Sequence, residues 1–143
     1  MQESDKIKLE ELHKELELIQ NCIARMANNS FMLKEWFVAL GAVVIAMTLD
    51  KSNKTVIIGT LLLVTVAFWY LDAFFLRIEK MYRKLYNWVL EERRKNNREF
   101  QYNLEPHRFD NEVEGILKIM FSTTLLNFYG VAIIVIVLIG CCL

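Results

Sequence analysis

Few residues in this chain have the chemistry to act on a substrate. His13 and His107 are its only near-neutral bases, and they sit in separate polar segments. His13 falls on the charged side of a helical N-terminal stretch, which makes it a solvated surface residue. His107 follows Glu105 and Pro106 and precedes Arg108, a grouping reminiscent of a nuclease arginine and histidine pair. Arg98 is too far upstream for the short spacing such pairs use. No His/Cys/Glu cluster has metal-ligand spacing, and no glycine-rich phosphate loop occurs. The expectation is a protein that is not an enzyme and uses no cofactor. Cys22, Cys141 and Cys142 make no disulfide framework, and the ending Cys-Cys-Leu is wrongly spaced for prenylation.

Charge supplies better candidates. Arg93, Arg94, Lys95 and Arg98 form the densest basic group. On a straight helix Arg94 lies about 25 Å beyond Leu76, much farther than the Debye length of about 8 Å over which lipid headgroups attract. A soluble anion, a nucleotide or oligonucleotide, is the ligand those residues could hold; the plainer reading is that Glu91, Glu92 and Glu99 neutralise them. Asp72 follows Trp69 and Tyr70 at the end of an apolar run, where an ionised carboxylate is costly unless paired or facing water. It either lines the mouth of a cation path or takes a partner from another helix or subunit, since Arg77 is five positions on. Asn127, with Ser122, Thr123 and Thr124, forms a polar patch in the last apolar run, as helix–helix glue or as a pore residue.

The elements that must position these residues are helical. Apolar residues make up 55% of the chain, with one proline and five glycines, which argues against a β-rich or disordered protein. The seventeen basic and seventeen acidic residues cancel, yet three stretches hold almost none of them. A membrane-crossing helix needs roughly 20 apolar residues, and residues 31–49, 55–76 and 116–140 qualify. The first carries Lys34 and Glu35 near its start and is the weakest; the third, charged only at Lys118, is the strongest. Met1 to Asn29 holds six acids and four bases, unlike a cleaved targeting peptide.

Lysine and arginine crowd the stretch from Arg77 to Lys118, while the loop Asp50 to Lys54 holds only Lys51 and Lys54 and the tail after Gly140 none. The positive-inside rule then puts the N-terminus and residues 77–115 in the cytosol and the C-terminus outside; the expected location is the cell's inner (plasma) membrane. In the N-terminal helix, Leu9, Leu12, Leu16, Ile19, Ile23 and Met26 recur at alternating three- and four-residue steps, a coiled-coil seam, with Glu10, Glu11, Lys14, Glu15 and Glu17 on its flanks, where they face water or a complementary surface. Asn28, Asn29 and Ser30 interrupt the pattern and offer a bend or hinge before the first span. Leu71, Phe74, Ile78, Met81, Leu85 and Trp88 carry a second seam out of the second span, so one helix is expected to run from 55 to about 97. A short outer loop makes the two seams antiparallel neighbours, giving a hairpin deeper than the bilayer. Residues 98–115 form a loop in which Pro106 starts a helical turn and Asp110 caps the last helix. The fold class is all-α: a three-pass transmembrane helical protein with long cytosolic helical extensions, forming oligomers.

The run Trp69-Tyr70-Leu71-Asp72-Ala73-Phe74-Phe75-Leu76-Arg77-Ile78-Glu79-Lys80-Met81-Tyr82-Arg83-Lys84-Leu85-Tyr86, leaving a span as a long charged helix, resembles small bacterial membrane proteins. The organisation is similar to minimal transmembrane effectors of anti-phage systems triggered by nucleotide second messengers, of the CBASS, Pycsar and HalA-like Hailong kinds. That resemblance implies a homo-oligomer, with a tetramer as the guess, that opens a pore or disrupts the membrane. Its signal would be an oligonucleotide or cyclic nucleotide made by a partner nucleotidyltransferase, and residues 1–29, with Leu9, Leu12, Leu16, Ile19 and Ile23, would serve as a gating plug. The alternative is a non-conducting anchor or scaffold that recruits a cytosolic partner protein.

Overall fold

The computed structural model describes residues 3–48 and 54–142. The expected outer loop falls almost wholly at 49–53, outside the described residues, as does the thiol of Cys142. The chain is 85% helical, and three of its helices are long and apolar enough to span a membrane.

Helix α1 (Glu3–Thr48) and helix α2 (Lys54–Arg94) are about 70 Å and about 60 Å long at 1.5 Å per residue. Each has one half in an apolar band and one half beyond it. They pack antiparallel along their length. Away from the band, Ile19 of α1 is fully enclosed with Leu85 and Val89 of α2, and Leu12, Leu16 and Ile23 pack against the same cluster, while Leu9 is largely exposed. Of the second seam Met81 and Leu85 are buried while Leu71 and Phe74 are exposed, so the two seams cover each other within one chain only over their parts away from the apolar band.

The hinge expected at Asn28–Ser30 is not there: α1 continues unbroken through it. Asn and Ser cost a helix only a few tenths of a kcal/mol each. Here Asn28 reaches along its own helix to the Met32 sulfur, and the Ser30 hydroxyl turns to another helix instead of competing for backbone.

Helix α2 ends at a specific stop. Asn96 takes the left-handed conformation (φ 58°), its N–H donates to the Arg93 carbonyl, and the Asn97 N–H donates to the Glu92 carbonyl. This is a Schellman close, which asparagine tolerates without glycine. The following strap, 95–115, folds back along α2. Glu105 caps a 3₁₀ turn, Pro106–Phe109, by accepting from the His107 N–H. Phe109 is buried against the Ile19 cluster, and Arg108 stacks 4.2 Å over the Trp88 ring.

The third apolar run is not one helix from 116. It is a short α3 (Ile116–Met120) and a separate α4 (Thr123–Cys142). The Trp69 indole N–H donates to the Met120 carbonyl at 2.8 Å, engaging the acceptor a continuing helix would use, and Ser122 restarts the ladder by accepting from the Leu126 N–H. Asp110 does not cap the last helix either. Gly115 stands at the start of α3, and Asp110 ends the 3₁₀ turn and pairs with Arg77 at 2.8 Å. Helix α4 packs on α2: Tyr129 stacks on Trp69, and an added Cβ at Gly140 would meet Ile58 at 2.7 Å.

Leu85 has no exposed surface and closes the seam. Leu85→Ala is expected to cost about 2–5 kcal/mol and to open the hairpin's far half, seen as faster maleimide labelling of Cys22 in detergent, with the apolar helices unaffected by circular dichroism.

Candidate functional site

Two buried ion pairs organise the molecule, one at each end of the paired extensions. The first surrounds Asp72, whose side chain has 0% exposure. Lys34 of α1 places its Nζ 2.5 Å from Oδ2, the Ser30 hydroxyl of α1 donates to Oδ1, and the Tyr129 hydroxyl of α4 donates to Oδ2 at 3.1 Å. Lys34 also donates to the Ser30 hydroxyl at 3.0 Å. The partner of Asp72 is thus on another helix of the same chain, and Arg77 is engaged elsewhere. Ser30 and Lys34 stand one turn apart on one face of α1, where both reach the carboxylate. Lys34 keeps 22% exposure, as a side chain snorkelling to an interface does. Desolvating a carboxylate costs several kcal/mol, and only good geometry with full hydrogen bonding offsets it; Asp72 has both.

The second pair lies at the far end. Arg93 makes a bidentate contact with Glu15 of α1, Nε to Oε2 at 2.9 Å and Nη2 to Oε1 at 2.8 Å. Glu15, on a flank expected to face water or a complementary surface, meets the second: it has 1% exposure and also accepts from the Tyr102 backbone N–H. Nη1 of Arg93 donates to the Asn97 carbonyl at 2.6 Å, so the same guanidinium joins both long helices to the strap.

The expected anion group is therefore spread over several partners. Arg98 pairs with Glu11 at 2.9 Å and Lys95 with Glu92 at 2.9 Å; Arg94 is exposed and has no carboxylate partner among the described residues. Neutralisation comes chiefly from Glu11 and Glu15 of α1, with Glu92 serving Lys95. A cleft of about 220 Å³ beside them brings Lys8, Asn96 and Gln101 together with Arg93, Arg98 and Asp5. Asn127 does not join Asp72. It is exposed on the outward face of α4. His13 and His107 are exposed and lie on different elements.

The strap is held to α2 by further charges. Glu114 lies 2.9 Å from Lys80 and 2.8 Å from Lys118, and hydrogen bonds from Lys118 and then Lys80 lower its carboxyl pKa from 4.5 to about 2. Arg77 donates to the Glu114 and Asp110 carbonyls. Glu92 is likewise held below its ordinary value by hydrogen bonds from Lys95 and Asn97.

An apolar crevice of about 410 Å³ is lined by Phe37, Gly41, Leu61 and Ile136 among others, and its Thr60 hydroxyl donates back to its own helix at Val56. Among the described residues no three His, Cys, Asp or Glu side chains stand together as metal ligands. Comparisons with protein families, curated proteins and solved structures give no match for this chain. The site rests on its own geometry.

Ser30, Lys34, Tyr129 and Glu15 are the residues that sequence reasoning misses as site members. A signal existed for two of them, because Ser30 and Lys34 have the i, i+4 spacing of one helix face at the depth of Asp72.

Lys34→Met leaves the Asp72 carboxylate buried without its cation and is expected to lower stability by about 3–5 kcal/mol. Lys34→Met with Asp72→Leu should recover most of that loss in thermal unfolding in nanodiscs. Because Glu114 has a folded pKa below its ordinary value, its contribution to strap docking is present above pH 4.5 and lost as pH falls toward about 2. Hydrogen exchange in the strap should rise through that window in the natural chain and change less in Glu114→Gln.

Proposed function

We propose that this chain is a homo-oligomeric membrane effector that forms an ion channel or disrupts the membrane when its cytosolic hairpin is released. The observation that carries this reading is continuity: α1 and α2 each pass without a break from the Glu15–Arg93 pair to the Asp72 clamp. A change at one end of such stiff, doubly fastened helices moves the other. Three helices enclose no water path on their own, so conduction requires several copies. In this reading the N-terminus and the strap are cytosolic, the membrane is the inner (plasma) membrane, and the chemistry is permeation with no enzymatic step.

An anionic signal, a nucleotide or oligonucleotide, would act as a competitor. It would draw Arg93 and Arg98 from Glu15 and Glu11, with Lys8 and Arg94 adding charge, and so free the N-terminal helix. A ligand shifts such an equilibrium only by its preference for the released state. Anti-phage defence, with a nucleotidyltransferase supplying the signal, is the setting this organisation fits.

The second reading, a non-conducting anchor whose hairpin recruits a protein, has one observation in its favour: Asp72 is sealed by Lys34, Ser30 and Tyr129 and offers no charge to a passing ion.

In liposomes loaded with a potassium-sensitive dye, Glu11→Ala with Glu15→Ala is expected to raise ion flux at least tenfold over the natural chain. The same samples are checked for intact helices by circular dichroism. Silent vesicles from a folded release variant, with and without added oligonucleotides, would overturn the channel reading in favour of the anchor.

A further inference from the structure

Asn127 stands in an unusual place for a carboxamide. Helix α4 turns Leu125, Tyr129 and Ile136 inward, where they are buried. Asn127, Val131, Ile134 and Leu138 form the opposite stripe and are all exposed, and Asn127 has no hydrogen-bond partner among the described residues.

Its depth follows from the packing of α4 on α2. Tyr129 stacks on Trp69 and Gly140 meets Ile58, so the antiparallel helices advance residue for residue. Asn127 is then level with Leu71, about 8 Å inside Leu76 at 1.5 Å per residue. Leu71 and Phe74 are themselves exposed apolar side chains at and outside that level, so a bilayer crossed by residues 55–76 would bring hydrocarbon to the carboxamide on this side of the bundle.

Hydrocarbon offers Asn127 neither donor nor acceptor, so the group favours a partner helix. A carboxamide carries both functions, so two copies of the same surface can satisfy each other under rotational symmetry. Beside it, Gly130 has no Cβ, and an added one would meet nothing within 4 Å of its own chain, leaving room for a neighbouring backbone. The stripe carries no charge, so it makes no demand for a partner of opposite sign.

We propose that the outward stripe of α4, centred on Asn127, is the surface through which copies of this chain associate, with Asn127 side chains hydrogen-bonding across the contact. This rests on the homo-oligomer reading above and names the surface that reading requires. Asn127 then acts in assembly and not as the lining of a mouth beside Asp72.

The test is disulfide cross-linking in vesicles, with the three native cysteines replaced by serine. Val131→Cys is expected to give a cross-linked dimer on oxidation, and Val43→Cys, on the lipid-facing side of α1, is not. Adding Asn127→Leu should weaken association about tenfold in a protein concentration series, whereas Asn127→Gln should retain it. Since Asn127 is exposed, neither variant should unfold the chain, which thermal unfolding checks. Undiminished cross-linking in Asn127→Leu, or cross-linking through Val43→Cys in its place, would overturn the proposal. No cross-link at any position, with a monomeric mass in detergent, would overturn both this surface and the homo-oligomer reading. Cross-linking through α4 in vesicles that pass no ions would support the surface while the channel reading fails.

Discussion

A carboxylate withdrawn from water inside a bundle of apolar helices sets the terms for the rest of this structure. Asp72 lies within the second apolar run, where ionisation without a cation is prohibitive. It is stable there because α1 supplies both a counter-charge and a hydroxyl and α4 supplies a phenol. Three helices thus converge on one functional group. Apolar faces alone tolerate sliding and rotation, since one aliphatic contact resembles the next. A carboxylate with named partners on two neighbouring helices does not, because a shift of one residue in either would strand it. The helix order, the register of α1 on α2 and the rotation of α4 all follow from meeting that demand.

The Glu15–Arg93 pair imposes the same discipline at the other end. It lies about 30 Å from the Asp72 clamp along either helix, with the seam of Ile19, Leu85 and Val89 between them. Two fixed points and a packed surface make the hairpin a stiff unit. The strap adds to this, since Arg93 bonds the Asn97 carbonyl and Glu15 accepts from Tyr102. Replacing either charge with an apolar group would not simply weaken the fold; it would leave its partner buried and unpaired. Buried pairs of this kind act chiefly as register devices, and their net contribution to stability is modest beside the cost of breaking them.

How much of this was legible depended on how local the information is. The three apolar helices and the middle of the two seams, Leu12 to Ile23 and Met81 to Trp88, could be read because hydropathy and helical period are properties of consecutive residues. The unbroken passage through Asn28–Ser30 could not, since the weak helix preference of those residues is overridden by the clamp that Ser30 joins. The break at Phe121–Ser122 was invisible for a similar reason: it depends on the Trp69 indole reaching the Met120 carbonyl from 51 positions away. Asp72 was recognisable as a residue needing a partner, but the partner's identity was not. Glu15 was legible only as a flank residue facing water or a complementary surface, and the pairing with Arg93 on the other helix decides for the second.

The amino-acid order alone determined that this is a helical chain with three segments suited to a bilayer and charged helical extensions, because hydrophobic length and period are written in neighbouring residues. Only the tertiary structure decided which charges meet. Ser30 and Lys34 find Asp72 across about forty positions, and Arg93 finds Glu15 across 78. Those meetings depend on the register of two long helices, and a register is a property of their packing as a pair.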